Sequence, residues 1–327
     1  MFINFPQSLG TMKLSGKRIF ITGGAGFIGS HLTERFVEDN KIIIYDTLHR
    51  NALQYTPFKG HKNLTFIEGD VLDVENLHKF MKGIDLVIHL ASIAGVPTVI
   101  EYPNKTLKIN LIGAYNVLEE CRINNVSDFV DFSTSEVYGP VNYRLPESGV
   151  NTIGPKERPR CVYALAKLAS EHLSYSYFKE YGLKSRSVRP FNVYGPRQMG
   201  EGAVNSFVRK AVKNEPLTVY NEGNQIRSWC YVTDMVDAIQ SILLNDNTLG
   251  ESFNIGNPQA TSSALDTALR IIKLADSSSK IEFKKADFHD VEVRVPNIDK
   301  AKKVFGFTPK VSFDEGLLKT IEWVRSI

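Results

Sequence analysis

The chain has 327 residues, 43% of them hydrophobic, and a formal net charge of +3 from 39 basic and 36 acidic residues mixed along its length. That is enough chain for a substantial core in one large or two average domains, and the balanced charge gives no argument for nucleic acid or a membrane surface as a partner. Cys121, Cys161 and Cys230 lie far apart with no C-x-x-C pair, which argues against a disulfide framework or a metal site and fits reduced thiols in a cytoplasmic protein.

Residues 1–12 carry no basic residue ahead of an apolar core and are expected to be an N-terminal extension rather than a signal peptide. No apolar run approaches the roughly 18 residues of a membrane span. From residue 13 onward, short apolar runs at Arg18–Thr22, Lys41–Asp46, Leu64–Glu68, Asp85–Leu90, Asp128–Ser133 and Ser185–Arg189 alternate with helical patterns such as Val74–Lys82, Leu107–Asn124 and Val162–Tyr177. Strands divided by helices require crossovers, hence an α/β fold with a doubly wound, mostly parallel sheet of the Rossmann type. In that class ligands bind beyond the carboxyl ends of the strands.

The first strand runs into Thr22-Gly23-Gly24-Ala25-Gly26-Phe27-Ile28-Gly29. Glycines at 23, 26 and 29 allow a tight strand-to-helix turn and let a pyrophosphate approach free N–H groups where the helix dipole favours negative charge. The second strand ends at Asp46, twenty residues after Gly26; a carboxylate there accepts ribose hydroxyls and repels a 2′-phosphate, favouring NAD over NADP, although a turn-capping aspartate is the alternative. Asp70 and Val71 follow the third strand and are candidates for the adenine, with a plain turn aspartate nearly as good a reading. After the fifth, Thr134 offers a hydroxyl and Glu136 a carboxylate at the mouth of the crevice; such a glutamate is expected to have a raised pKa and to take a proton from carbon, with a helix-start carboxylate stabilised by the dipole as the alternative. Tyr163 and Lys167 stand four apart on one helix face. The lysine, helped by a positive nicotinamide, is expected to lower the tyrosine pKa and make it a base for a sugar hydroxyl, though alone the pair equally fits an exposed contact.

Residues 13–188 are therefore expected to form the NAD-binding domain and 189–327 a smaller mixed α/β substrate domain, with about 225–256 returning to the first. The C-terminal part is expected to hold a helix over Ala203–Lys213, a strand over Leu217–Tyr220, and a strand end and helix over Tyr231–Leu244.

Together, TGGAGFIGSHL at Thr22–Leu32, GDV at Gly69–Val71, HLAS at His89–Ser92, STSEVYG at Ser133–Gly139, YALAK at Tyr163–Lys167, RPFNVYGPRQ at Arg189–Gln198 and VRVPNIDKAKKVFGFTPKV at Val293–Val311 resemble the extended short-chain dehydrogenase/reductase family, in its nucleotide-sugar epimerase/dehydratase branch. The resemblance implies a retained NAD that is regenerated each turnover after transient oxidation of a sugar hydroxyl, usually at C4. It implies cofactor contacts from Leu90, Ala91 and Ser92 besides those named above, and Asn192, Arg197, Arg227 and Arg294 at the nucleotide diphosphate, for which an arginine fork is suited. It places Asn110 behind the active-site backbone and pairs the helices Leu107–Asn124 and Val162–Tyr177 with those of a second subunit in a four-helix bundle, giving a homodimer. Glu136 with Ser135 resembles GDP-mannose dehydratases and UDP-glucuronate decarboxylases more than simple 4-epimerases; Pro159-Arg160-x-x-Tyr163 resembles the decarboxylases. The loop Ser92–Thr98 offers no cation for a uronate carboxylate. Dehydration across C5–C6 of a UDP-sugar such as UDP-GlcNAc is therefore the first expectation, decarboxylation the second, 4-epimerisation the third, and a non-catalytic NAD-binding regulator a remote fourth.

Overall fold

The computed structural model describes residues 13–286 and 291–327; the expected N-terminal extension, residues 1–12, lies outside the described residues. Five strands, β1 (Arg18–Thr22), β2 (Lys41–Asp46), β3 (Leu64–Glu68), β4 (Leu86–His89) and β5 (Asp128–Phe132), join the strands Lys184–Pro190 and Ser252–Ile255 in one seven-stranded sheet. From one edge the order is Ser252–Ile255, Lys184–Pro190, β5, β4, β1, β2, β3, and every pair is parallel. β4 is buried along its whole length and β1 after its first residue, which is why these runs read as continuously apolar rather than alternating.

Strand order reverses between β1 and β4, so the crevice opens where Thr22, His89 and Asp131 stand side by side in register. The core around Ile21, Ile44, Ile88 and Val130 also takes in Met235, Ile239 and Phe253, so the C-terminal half contributes to the first layer. A second cluster holds Phe207, Trp229, Phe313 and Leu317. A four-stranded sheet, ordered Thr261–Ser263, Ile226–Ser228, Val293–Val295, Val141–Tyr143, links the two halves beside the turn that carries Glu136.

The strands expected at β1, β2, β3 and Leu217–Tyr220 have the observed bounds, β5 is a residue shorter at one end, and the expectations for β4 and Lys184–Pro190 differ by a residue at both ends. The helix expected at Leu107–Asn124 differs more. It starts at Pro103, passes through a π-helical turn at Lys108–Ile112 and continues as Gly113–Ile123. The wider turn buries Asn110, whose amide accepts from Ile93 N at 2.8 Å and donates to Ile93 O at 2.9 Å, fixing the loop after β4.

Candidate active site

The glycine corner is shaped by close approach. Gly23 has φ +69°, and a Cβ there would stand 2.7 Å from Ala91 N and 2.8 Å from the Leu90 carbonyl carbon. At Gly29 a Cβ would stand 2.6 Å from Gly23 O. Helix α1 (Phe27–Phe36) begins after Gly26, which supplies no side-chain cap, and its first backbone bond runs from Ser30 N to Gly26 O. The N–H groups of Phe27, Ile28 and Gly29 therefore have no intrahelical acceptor and face the crevice mouth. Asp46 accepts from Ala25 N at 3.0 Å and Leu48 N at 2.8 Å. Burial raises its pKa while these N–H groups hold it down. Asp70 accepts from Leu72 N, and the Val71 side chain is buried under Gly113. A corner that tolerates no Cβ, an uncapped helix start and a carboxylate after β2 fit a dinucleotide.

Thr134 caps a short 3-10 turn, Ser135–Tyr138, by accepting from Glu136 N at 3.2 Å. The turn is braced from below: Arg189 donates to Glu171 at 2.6 Å and to the Tyr138 hydroxyl at 2.7 Å, and Tyr138 donates to Asn254 Oδ1 at 2.9 Å. Held this way, Glu136 meets Arg294 Nη1 at 2.8 Å and Arg160 Nη2 at 3.1 Å. Burial would favour the neutral acid, but the two guanidiniums overrule it and hold the carboxyl down at about 2. Arg294 is 4% exposed, and its Nε is a buried donor with no hydrogen-bond partner among the described residues.

The helix Cys161–Tyr181 brings Tyr163 and Lys167 to the same crevice. Burial, together with the Glu136 charge, pushes the Tyr163 phenol up to about 12, while Thr134 and Arg294 draw it down. Lys167 is 1% exposed; burial lowers its pKa and the Asp131 carboxylate raises it. Two expectations are thereby corrected. Glu136 is a firmly ionised carboxylate rather than one of raised pKa, because two arginines distant in sequence converge on it. Tyr163 is not a low-pKa phenol in the protein alone, because desolvation and the Glu136 anion outweigh its cationic neighbours.

The remaining arginines come from the C-terminal half of the chain. Arg227 and Arg294 are neighbours in register on paired strands. Asn192, at φ 38°, donates to Ser228 O at 2.9 Å. Arg197, at φ 67° and 5% exposed, is tied to His31 and Glu34 of α1, and its Nη1 has no partner among the described residues. Arg160 is the residue whose weight sequence reasoning missed; Pro159-Arg160-x-x-Tyr163 was the one signal that pointed to it.

Residues 19–256 match the model of the NAD dependent epimerase/dehydratase family. The chain belongs to that family. Its members depend on NAD and act as enzymes on nucleotide sugars. UDP-glucuronic acid decarboxylase 1 of Xenopus tropicalis is 37% identical over 321 residues, 94% of this chain and 72% of the relative. UDP-N-acetyl-alpha-D-glucosaminuronate decarboxylase of Bacillus cytotoxicus is 35% identical, over 95% of this chain and 98% of the relative. Among solved structures, UDP-glucuronic acid 4-epimerase of Bacillus cereus, in complex with UDP-glucuronic acid and NAD, superposes with a TM-score of 0.86 at 28% identity, covering 94% of this chain and 99% of that one.

Proposed function

We propose that this protein decarboxylates a UDP-hexuronate, removing the C6 carboxylate as carbon dioxide after transient oxidation at C4. One observation carries the reading: beside Tyr163, two arginines converge on Glu136, and Arg294 keeps a buried N–H that has no partner among the described residues. A buried donor of this kind costs stability until an anion reaches it. A neutral N-acetylhexosamine brings no anion to that end of the sugar; a uronate carboxylate does. Dehydration, the first expectation, needs Glu136 to accept a proton from carbon, and a carboxyl held at about 2 is a poor acceptor. The decarboxylases of Xenopus tropicalis and Bacillus cytotoxicus among the relatives support the same choice.

Gly23, Gly26 and the N–H groups of Phe27, Ile28 and Gly29 would hold the pyrophosphate of NAD, Asp46 the adenosine ribose, and Asp70 with the Val71 backbone the adenine. Leu90, Ala91 and Ser92 would line its middle, and Tyr163 with Lys167 the nicotinamide ribose. NAD, when bound, supplies the acceptor for the C4 hydride and its later return. Tyr163, a neutral phenol in the protein alone, would take the C4 hydroxyl proton as the phenolate that the positive charge of a bound nicotinamide favours, and Thr134 would hydrogen-bond the same oxygen. Once C4 is a ketone, the C5–C6 bond breaks, its electrons pass into a C4–C5 enolate, and a proton takes the place of the carboxylate on C5. A phenol that rests at about 12 is well suited to give its proton back to that oxygen. Arg294, with Arg160, orients the carboxylate; Asn192, Arg197 and Arg227 are assigned to the nucleotide diphosphate.

In this reading the active form is a homodimer. Tyr115, Leu165, Tyr175 and Tyr181 are about half exposed on the helices Gly113–Ile123 and Cys161–Tyr181, and a second copy would cover part of this apolar surface. Incubation with UDP-glucuronate, UDP-N-acetylglucosaminuronate and UDP-GlcNAc, read by product mass, tests the chemistry. Loss of carbon dioxide from a uronate is expected; loss of water from UDP-GlcNAc, or a uronate isomer of unchanged mass, would overturn it.

A further inference from the structure

Below the reacting groups lies a second layer of polar side chains that no contact with sugar explains. Asp131, on the buried strand β5, is fully inaccessible. Its Oδ1 accepts from Ser170 Oγ at 2.8 Å, while Oδ2 has no hydrogen-bond partner among the described residues. Ser170 follows Lys167 by three residues on the same helix, so both project towards the strand that carries Asp131. Lys167 is itself buried and has no ion pair within 4.0 Å among the described residues. His89, the register neighbour of Asp131 on β4, is neutral: burial and the Lys167 charge hold it at about 3, and its Nδ1 is engaged with Thr22 Oγ1 at 2.8 Å. Ser187, the neighbour on the other side, is uncharged. Glu171, next along the helix, is already bound to Arg189. Of the described groups that face Lys167 from the sheet, Asp131 alone can carry negative charge.

We propose that Asp131 is the counter-ion that keeps Lys167 an ammonium, a positioning residue that acts on Tyr163 through the lysine. An isolated ammonium buried at this depth favours losing its proton; an uncommitted carboxylate oxygen in the same pocket opposes that loss. The inference rests on the reading of Tyr163 and Lys167 as the reacting pair, but the counter-ion itself is open to measurement without any sugar.

The test is a titration of Lys167 by carbon-13 NMR in the full-length holoprotein labelled at lysine, with the signal assigned by its loss in Lys167→Met. Asp131→Asn keeps the shape of the side chain and removes its charge; the Lys167 midpoint is expected to fall by about one pH unit, a tenfold loss of proton affinity. Ser170→Ala, which frees Asp131 Oδ1 and favours its protonated form, is expected to shift the midpoint in the same direction by less. An unmoved midpoint overturns the proposal, and should Asp131→Asn fail to fold, Ser170→Ala decides on the same terms. Asp131 also raises the Tyr163 pKa, so both limbs of the activity profile on a UDP-uronate are expected to move to lower pH in Asp131→Asn. A Lys167 midpoint that moves under an unmoved activity profile upholds the counter-ion and overturns Tyr163 and Lys167 as the reacting pair.

Discussion

Glu136 shows how far an environment can reverse what a side chain does. Alone at a strand end it is a candidate base; with Arg160 and Arg294 upon it, it becomes a fixed anion that holds two cations in place. The carboxyl falls from the ordinary 4.5 to about 2, so it contributes roughly 3 kcal/mol of stability. Because the folded value lies below the unfolded one, that contribution is complete above about 4.5 and is lost as pH falls towards 2. Glu136→Gln is expected to flatten the acid side of the stability profile in that window, measured by denaturant unfolding at a series of pH values. Tyr163→Phe is expected to cut turnover by about 10²- to 10⁴-fold while NAD still co-purifies; near-normal turnover would remove the tyrosine from the chemistry. The pairing of Tyr163 with Lys167 was legible because four residues are one helical turn. The ionisation of neither Glu136 nor Tyr163 was, since Arg160 and Arg294 stand 24 and 158 positions from the glutamate and no local pattern announces that they meet.

Among the elements, the glycine corner was the most legible, because backbone approach and a missing Cβ leave a signature within eight residues. Gly23→Ala would press a Cβ against the Ala91 and Leu90 backbone at a positive φ. The variant is expected to fold yet emerge without NAD, read from the absorbance and mass of cofactor released on denaturation; a full complement of NAD would contradict the corner's role. The π-helical turn at Lys108–Ile112 was not legible. Its cause is tertiary: one wide turn lets Asn110 reach both backbone groups of Ile93, and hydrophobic periodicity carries no record of such a bond. Asp131 was hidden for a similar reason, as a polar residue between the apolar Val130 and Phe132 whose hydrogen-bond partner comes from a helix further along the chain.

At the scale of the whole molecule, the parallel sheet followed from alternating strands and helices, whereas the return of Ser252–Ile255 to its edge depends on contacts between distant segments. Two histidines, His89 buried and His31 half-buried, tie stability to a pH range. His31, between Pro196 and Arg197, and His89 are held at about 3, below their ordinary 6.5, with burial the larger cause in each. A depressed folded value means stability that is complete above 6.5 and lost as pH falls towards 3, so the midpoint of thermal unfolding is expected to drop on acidification through that interval and to drop less in His31→Gln. The exposed apolar face around Leu165 bears on assembly: Leu165→Arg is expected to convert a dimer to a monomer by light scattering, and a wild-type monomer would contradict the paired helices.

The most direct test of a uronate chemistry follows the carboxylate itself. With UDP-glucuronate or UDP-N-acetylglucosaminuronate labelled with carbon-13 at C6, in deuterated water, the expected result is labelled carbon dioxide released one for one with sugar consumed and a deuterium at C5 of the product. Label retained in a product sugar would contradict decarboxylation.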